Sequence, residues 1–390
     1  MRGVAMKFCE NSNDELIINL DGEYYVVNRF TFELLEALED SNIARFKQKH
    51  QKSTLKINRY IKEINQKIAN PEYYESNIQI KAPLKVQWKI TNRCNLRCEH
   101  CYTNANDHEN TDLEDSLLKR VANDIISAGI MEVTISGGEA LLVKGIENIV
   151  TMLMNSGVSV LIFTNGILLK EFIDKLPDVT KHLLHFSVSI DGNEKIHDEI
   201  RGKGTFAKSI EGIKYAISHG YKLVTNTVIM KKNIGCIGAL ISYLHKMGVD
   251  QVQLSNLIIK GRANEKMQVT VSERKELMRQ LSSIVNDIGE TEILYAEIPD
   301  GQDDSEIYKI TSKGNYFLGN EQWKCSAGIG KATINHRGDL LCCPFIEKSK
   351  LGNLLEHNLD ELWKKKERYE FLKVLQMENN NSRKCMVIRE

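Results

Sequence analysis

The chain has 390 residues, 42% hydrophobic and 27% charged, with 52 basic residues balanced by 52 acidic ones. That length accommodates two or three domains, and the composition is that of a globular protein. Zero net charge excludes a global field that steers the chain to nucleic acid or anionic lipid, no apolar run approaches a membrane span, and the N-terminus lacks an apolar stretch with a cleavage site, so a cytoplasmic protein is expected.

Residues 1–70 read as a small module. Glu15–Leu20 and Glu23–Val27 are strand-like, and Asp21-Gly22 between them is a hairpin signal, because glycine tolerates the positive φ of a tight turn. Phe32, Leu35 and Leu38, and then Ile57, Tyr60, Ile61, Ile64 and Ile68, repeat at helical spacing. Strands followed by helices predict a winged-helix-like fold. Arg45, Lys47, Lys49, Lys52, Lys56, Arg59, Lys62 and Lys67 face only Glu63 over the same stretch. They read equally as a solvated helix face and as a dock for an acidic leader peptide, with DNA phosphate contact disfavoured by the neutral chain. Residues 71–83, with a proline at each end, read as a linker.

Strands and helices then alternate over 84–262. Strands fit Val86–Ile90, Glu132–Ser136, Val158–Thr164, His185–Ile190, Leu223–Met230 and Gln251–Leu257, and Thr111 with Glu114 reads as a capping box opening the first helix. Units of about 30 residues point to parallel α/β architecture. The expected fold is a partial (β/α)6 barrel, with a doubly wound sheet as the rival. Residues 263–324 bridge onward with one helix, about Ser272–Ile288. Residues 325–390 read as a small separate unit containing a strand–turn–strand at Thr333–Leu341.

Nine cysteines in a long chain without an export signal suit metal binding better than disulfides. Cys94, Cys98 and Cys101 follow the first strand directly. Three thiolates on one short loop can hold three corners of an iron–sulfur cube and leave one iron open. A zinc site with His100 or His108 as the fourth ligand is the alternative.

The Cys-x3-Cys-x2-Cys spacing resembles the signature of the radical S-adenosylmethionine (SAM) enzymes, and further motifs follow in order. Gly137-Gly138-Glu139 matches the family's GGE motif at the methionine amino group. Asn165 ends the third strand, Ser189 matches a polar residue that meets the cofactor, and Arg201 matches an arginine that pairs with the SAM carboxylate. Asn226 lies on the fifth strand, Gly261 looks like the adenine-side glycine turn, and His100 takes the aromatic position before the last cysteine. All lie at or beyond the C-terminal ends of consecutive strands, the rim where barrels build sites. The resemblance implies a [4Fe–4S] cluster on Cys94, Cys98 and Cys101 with SAM bound to it, and assigns no side chain a catalytic role.

Cys325, twelve residues, Gly338, four residues and Cys343 resemble the opening of the SPASM and twitch auxiliary-cluster domains, with Cys385 as a further ligand. The pattern then departs, because a full SPASM domain carries about seven cysteines. Only Cys325, Cys342, Cys343 and Cys385 occur here, and adjacent Cys342 and Cys343 are too close for both to serve one cube, so at most one auxiliary cluster is expected. Cys9 and Cys236 read as ordinary thiols. The N-terminal module resembles the peptide-recognition element of enzymes that modify ribosomally made peptides, which binds a leader as an added strand. The implied activity resembles that of the sactipeptide synthases, which join a cysteine sulfur to an α-carbon. The implied partners are a precursor peptide held by residues 1–70 and an electron donor such as flavodoxin or ferredoxin. Epimerisation, C–C crosslinking, maturation of a non-peptide substrate such as a tetrapyrrole, and an iron–sulfur DNA-binding regulator are the alternatives.

Overall fold

A computed structural model describes residues 8–10, 16–20, 23–27, 82–106, 112–177, 181–284, 291–296, 307–311, 314–317 and 327–378. The first three segments are strands β1 (Phe8–Glu10), β2 (Leu16–Leu20) and β3 (Glu23–Val27), which form an antiparallel sheet in that order. Leu20 pairs with Glu23, the register that the predicted hairpin requires, and Asp21 and Gly22 lie outside the described residues. The helical patterns of this module, its basic stretch and most of the linker lie outside the described residues.

Six parallel strands follow: β4 (Lys85–Thr91), β5 (Glu132–Gly137), β6 (Ser159–Thr164), β7 (Leu184–Ser189), β8 (Lys222–Ile229) and β9 (Gln251–Asn256). Their order in the sheet is their order in the chain, without the reversal of a doubly wound sheet, so the partial barrel is the observed architecture. Between them lie helices α1 (Asp115–Ser127), α2 (Ile146–Asn155), α3 (Leu169–Lys175), α4 (Glu194–Arg201), α5 (Thr205–Ser218) and α6 (Ile237–Lys246). Alternation along each strand divides the sheet into two faces. Trp88, Ile90, Val133, Ile135, Val160 and Ile162 are buried beneath Val121 and Ile125 of α1 and Ile149 and Leu153 of α2. The opposite face, less buried, carries Gln87, Lys89, Ser189, Asn226 and Ser255. That polar face lines the inside of the open barrel.

Both flanking regions join this sheet, where the sequence suggests a connector and a separate unit. After α7 (Val271–Ile284), β10 (Glu292–Ala296) pairs parallel with β9, and β11 (Ile307–Thr311) and β12 (Gly314–Phe317) add antiparallel strands. At the other edge β13 (Lys331–Ile334) pairs parallel with β4, from Lys331 opposite Lys85 to Ile334 opposite Trp88. It is followed by β14 (Asp339–Leu341) and β15 (Lys350–Asn353). The C-terminal residues therefore share the barrel's core. Leu362 and Trp363 of α8 (Leu359–Trp363) are completely buried in the same cluster as Trp88, and α9 (Lys366–Glu378) follows.

The expected capping box at Glu114 does not form. Glu114 is the N-cap of α1 but its side chain makes no capping bond, and Thr111 lies outside the described residues. Asp112, between them, accepts hydrogen bonds from the Thr91 hydroxyl and, at 3.1 Å, from the Arg93 guanidinium. The segment is tied back to the end of β4 instead of turning into helix.

Candidate functional site

The loop after β4 carries the three cysteines, and neighbouring elements hold it by backbone bonds that demand glycine. Gly138 N–H donates to the Thr91 carbonyl at 2.9 Å and Glu139 N–H to the Arg93 carbonyl at 2.7 Å. A Cβ on Gly137 would lie 2.2 Å from the Thr91 oxygen, and one on Gly138 would lie 2.0 Å from the Arg93 oxygen. Neither approach is open to a residue with a side chain. At the far end of the loop Gly261 has φ +64° and a Cβ there would stand 2.4 Å from the Cys101 oxygen. Arg262 donates to the carbonyls of Cys98 (2.8 Å) and Ala105 (2.9 Å). The sequence does not single out Arg262 as a clamp; its only signal is adjacency to Gly261.

The three thiols sense one another. Burial pushes Cys94 up to about 12, with Glu139 and the other two thiols adding to the rise and the Leu96 amide opposing it. Burial also raises Cys98, opposed by Arg201, whose Nη1 lies 3.8 Å from the Cys98 sulfur. Among the described residues no set of three His, Cys, Asp or Glu side chains converges on the single point that a zinc ion needs. Three thiols on one short loop, near enough to raise one another's pKa, are the donor set of a three-cysteine iron–sulfur cluster. The imidazole of His100 meets Asp191 and Arg201. Its Nε2 stands 3.5 Å from both Asp191 Oδ2 and Arg201 Nη2, while Nδ1 is buried without a partner among the described residues.

Asp191, just past β7, organises this corner. It is fully buried, Oδ2 accepts from Arg201 Nε at 2.7 Å, and Oδ1 accepts from the Val228 amide at 2.9 Å. Burial alone would raise its pKa, but Arg201, His100 and the Val228 amide outweigh burial and hold the carboxyl below its ordinary value. Burial lowers the pKa of His100, opposed by the Asp191 carboxylate and aided by Arg201. The sequence places Arg201 at the SAM carboxylate; the structure shows that Asp191 fixes its orientation. The Ser189-Ile190-Asp191-Gly192 run at a strand end was the available signal.

Glu139 is 1% exposed, and its carboxylate accepts from Thr164 Oγ1 (2.8 Å), the Asn165 amide (2.8 Å) and the Leu141 amide (3.1 Å). Burial raises its pKa against these bonds. The side chain therefore ties the end of β5 to the end of β6. Asn165 carries the link onward, since its Nδ2 donates to Asn95 Oδ1 in the cysteine loop at 2.7 Å. Ser189 and Asn226 are paired register positions on β7 and β8, and Asn226 Oδ1 accepts from Ser255 Oγ at 2.6 Å. Every residue expected to meet SAM thus stands on this rim or on the loop packed against it.

Cys325 and Cys385 lie outside the described residues. Cys342 and Cys343 leave β14 on opposite sides. Cys342 is completely buried in the hydrophobic core, which pushes its thiol up to about 12. Cys343 faces the barrel, where its charge raises the pKa of Lys89 against the larger effect of burial, leaving that ammonium lowered to about 8. The loop after Cys343 lies on the loop after Cys101: the Phe345 and Tyr102 rings meet edge to face at 5.5 Å. Cys236 stands apart, its thiol donating to the Asn233 carbonyl at 3.2 Å.

The Radical SAM superfamily profile matches residues 88–255, and that of the SPASM iron–sulfur cluster-binding domain matches residues 325–386. The chain is a radical SAM enzyme with a SPASM domain. It is 27% identical over 299 residues to the Fe-coproporphyrin III synthase of Methanosarcina barkeri, covering 73% of this chain and 74% of that protein. It is 26% identical over 198 residues to the sporulation killing factor maturation protein SkfB of Bacillus subtilis, covering 50% and 48%. Its fold resembles that of Streptococcus suis SuiB bound to precursor peptide SuiA, with a TM-score of 0.68 at 16% identity over 96% of this chain and 90% of that one. The SPASM match supports iron–sulfur binding by the region that contains Cys343. Among the described residues no helix is long and apolar enough to cross a membrane.

Proposed function

We propose that this radical SAM enzyme matures a ribosomally made precursor peptide by joining a cysteine sulfur to an α-carbon. A [4Fe–4S] cluster held by Cys94, Cys98 and Cys101, with SAM at the open iron, supplies reductive cleavage of SAM to a 5′-deoxyadenosyl radical. The chain's own residues bind and orient. Asp191 holds Arg201 at the cluster loop, Glu139 and Asn165 brace that loop from β5 and β6, and Ser189 and Asn226 offer polar contacts inside the barrel. Thioether formation gives a hydrogen atom from the α-carbon to the 5′-deoxyadenosyl radical, a proton from the thiol to solvent and one electron that balances the electron consumed in cleaving SAM, so the product is lighter by two hydrogens. The observation that carries the reading is the contact of the Cys343 loop with the Cys101 loop through Phe345 and Tyr102, which joins the SPASM-matched segment to the loop of the three cysteines. The likeness to a maturation protein supports a peptide substrate, as does the fold shared with a structure that holds a precursor peptide. The three-stranded sheet, with β1 and β3 at its edges among the described residues, supports leader binding by strand addition.

A second reading, a tetrapyrrole substrate, is favoured by the 73% of the chain that aligns with the Fe-coproporphyrin III synthase. One experiment separates the two. Reduced, reconstituted protein is incubated with SAM and either a cysteine-bearing peptide with a leader segment or iron-coproporphyrin III. The peptide reading expects 5′-deoxyadenosine matched to peptide that has lost two hydrogens. Turnover of the porphyrin with inert peptide refutes it.

A further inference from the structure

The junction between the two cysteine-bearing loops contains two lysines that have no carboxylate partner among the described residues. Lys89 projects from the inner face of β4, and Lys260 follows β9, at the far side of the six-stranded run. Both reach the segment after Cys343. Lys89 Nζ donates to the Pro344 carbonyl at 3.0 Å and Lys260 Nζ to the Phe345 carbonyl at 3.1 Å. Lys89 Nζ also lies 5.0 Å from the Tyr102 ring centroid and 5.6 Å from that of Phe345. Aromatic faces attract a cation but do not neutralise it.

Each ammonium has three donors, and one loop carbonyl occupies one of them. Among the described residues no carboxylate lies within ion-pair distance of either lysine. The two lysines bond consecutive carbonyls, those of Pro344 and Phe345, directly after Cys343. Two half-buried cations at one point are costly unless an anion joins them. An iron–sulfur cube carried by cysteine thiolates is such an anion, and the SPASM match over residues 325–386 includes Cys343.

We propose that Lys89 and Lys260 are the counter-charge of the iron–sulfur centre ligated by Cys343 and that they raise its reduction potential. Reduction adds negative charge to the centre, and fixed positive charge in a partly buried site stabilises the reduced state. Because Lys89 sits on the strand that leads into the Cys94–Cys101 loop and stacks over Tyr102, the charge that tunes one centre is anchored to the loop that holds the other. The lysines are positioning residues in this account. The inference rests on the SPASM assignment and not on the peptide reading, because its test uses no substrate.

The test uses the full chain with Cys94, Cys98 and Cys101 replaced by alanine, so that a single centre of about four irons remains. Reconstituted protein is titrated with dithionite as reductant, and the reduced fraction is followed by electron paramagnetic resonance. Lys89→Gln and Lys260→Gln are each expected to lower the reduced-to-oxidised ratio at a fixed potential about tenfold, a midpoint shift of about 59 mV for one electron, and the double variant further. Lys89→Arg keeps the charge and is expected to keep the parent midpoint. If Lys89→Gln fails to assemble iron, Lys260→Gln reads the same shift. A double variant that titrates with the parent overturns the proposal, and so does a triple-alanine parent that retains no iron.

Discussion

Replacing Asp191 by asparagine tests whether the buried Asp191–Arg201 pair is the keystone of the SAM corner. The substitution keeps an oxygen for the Val228 amide and removes the charge that faces Arg201 at 2.7 Å. Arg201 is 9% exposed and Asp191 0%, so the guanidinium left behind has no water to replace its partner. Breaking a buried pair from one side costs about 3–5 kcal/mol, a large part of a domain's total stability. Arg201→Met strands the carboxylate and has a similar cost. The double variant removes both charges, so its loss should fall short of the sum of the singles by about 3 kcal/mol, a more than hundredfold difference in the unfolding constant. Urea unfolding of the apo-protein, followed by circular dichroism, gives the three values. Additivity within about 0.5 kcal/mol would refute the reasoning, because it would mean that the pair is not coupled. The acid limb gives a second reading with a definite sign. Despite burial, Arg201, His100 and the Val228 amide hold the folded-state pKa of Asp191 below its unfolded value. The stabilisation is therefore complete above the unfolded value, about 3.9, and is lost as pH falls through the lower folded value. The gap between parent and Asp191→Asn should narrow on acidification over that range and stay constant above it.

The cluster assignment predicts that alanine at Cys94, Cys98 and Cys101 together lowers iron from about eight to about four per chain and abolishes SAM cleavage; retained 5′-deoxyadenosine formation would contradict it. Cys343→Ala should spare SAM cleavage, remove the other four or so irons and block thioether product, whereas an equal product yield would exclude a role for the second centre. Gly138→Ala would put a Cβ 2.0 Å from the Arg93 oxygen, so the cysteine loop must shift. A loss of about 2 kcal/mol or more with impaired iron uptake is expected, and an unchanged melting temperature with full iron would show that the loop yields freely. Deleting residues 1–70 should raise KM for leader-bearing peptide tenfold or so while substrate-free SAM cleavage persists, as removal of a strand-addition site implies. An unchanged KM would exclude leader recognition by that module.

The cysteine loop was legible because its spacing is local and its chemistry narrow. The six parallel strands were legible because their apolar face repeats every second residue, and the glycines of Gly137-Gly138 and Gly261 because close backbone approach tolerates no side chain. Sequence by itself thus determined the barrel and its rim. It misplaced the start of α1 because Thr111 and Glu114 fit a local rule, while Asp112 has partners on β4 that no local rule contains. Partner choice across long separations was decided only in the tertiary structure. Arg262 meets Cys98 across 164 residues, Lys89 meets Pro344 across 255, and Arg201 meets Cys98 across 103. The pairing of β13 with β4 likewise turned an apparently separate C-terminal unit into the edge of the barrel sheet and brought Cys343 to the cluster loop. Such contacts depend on strand register and on which face each residue presents, and those are settled only when the whole sheet assembles.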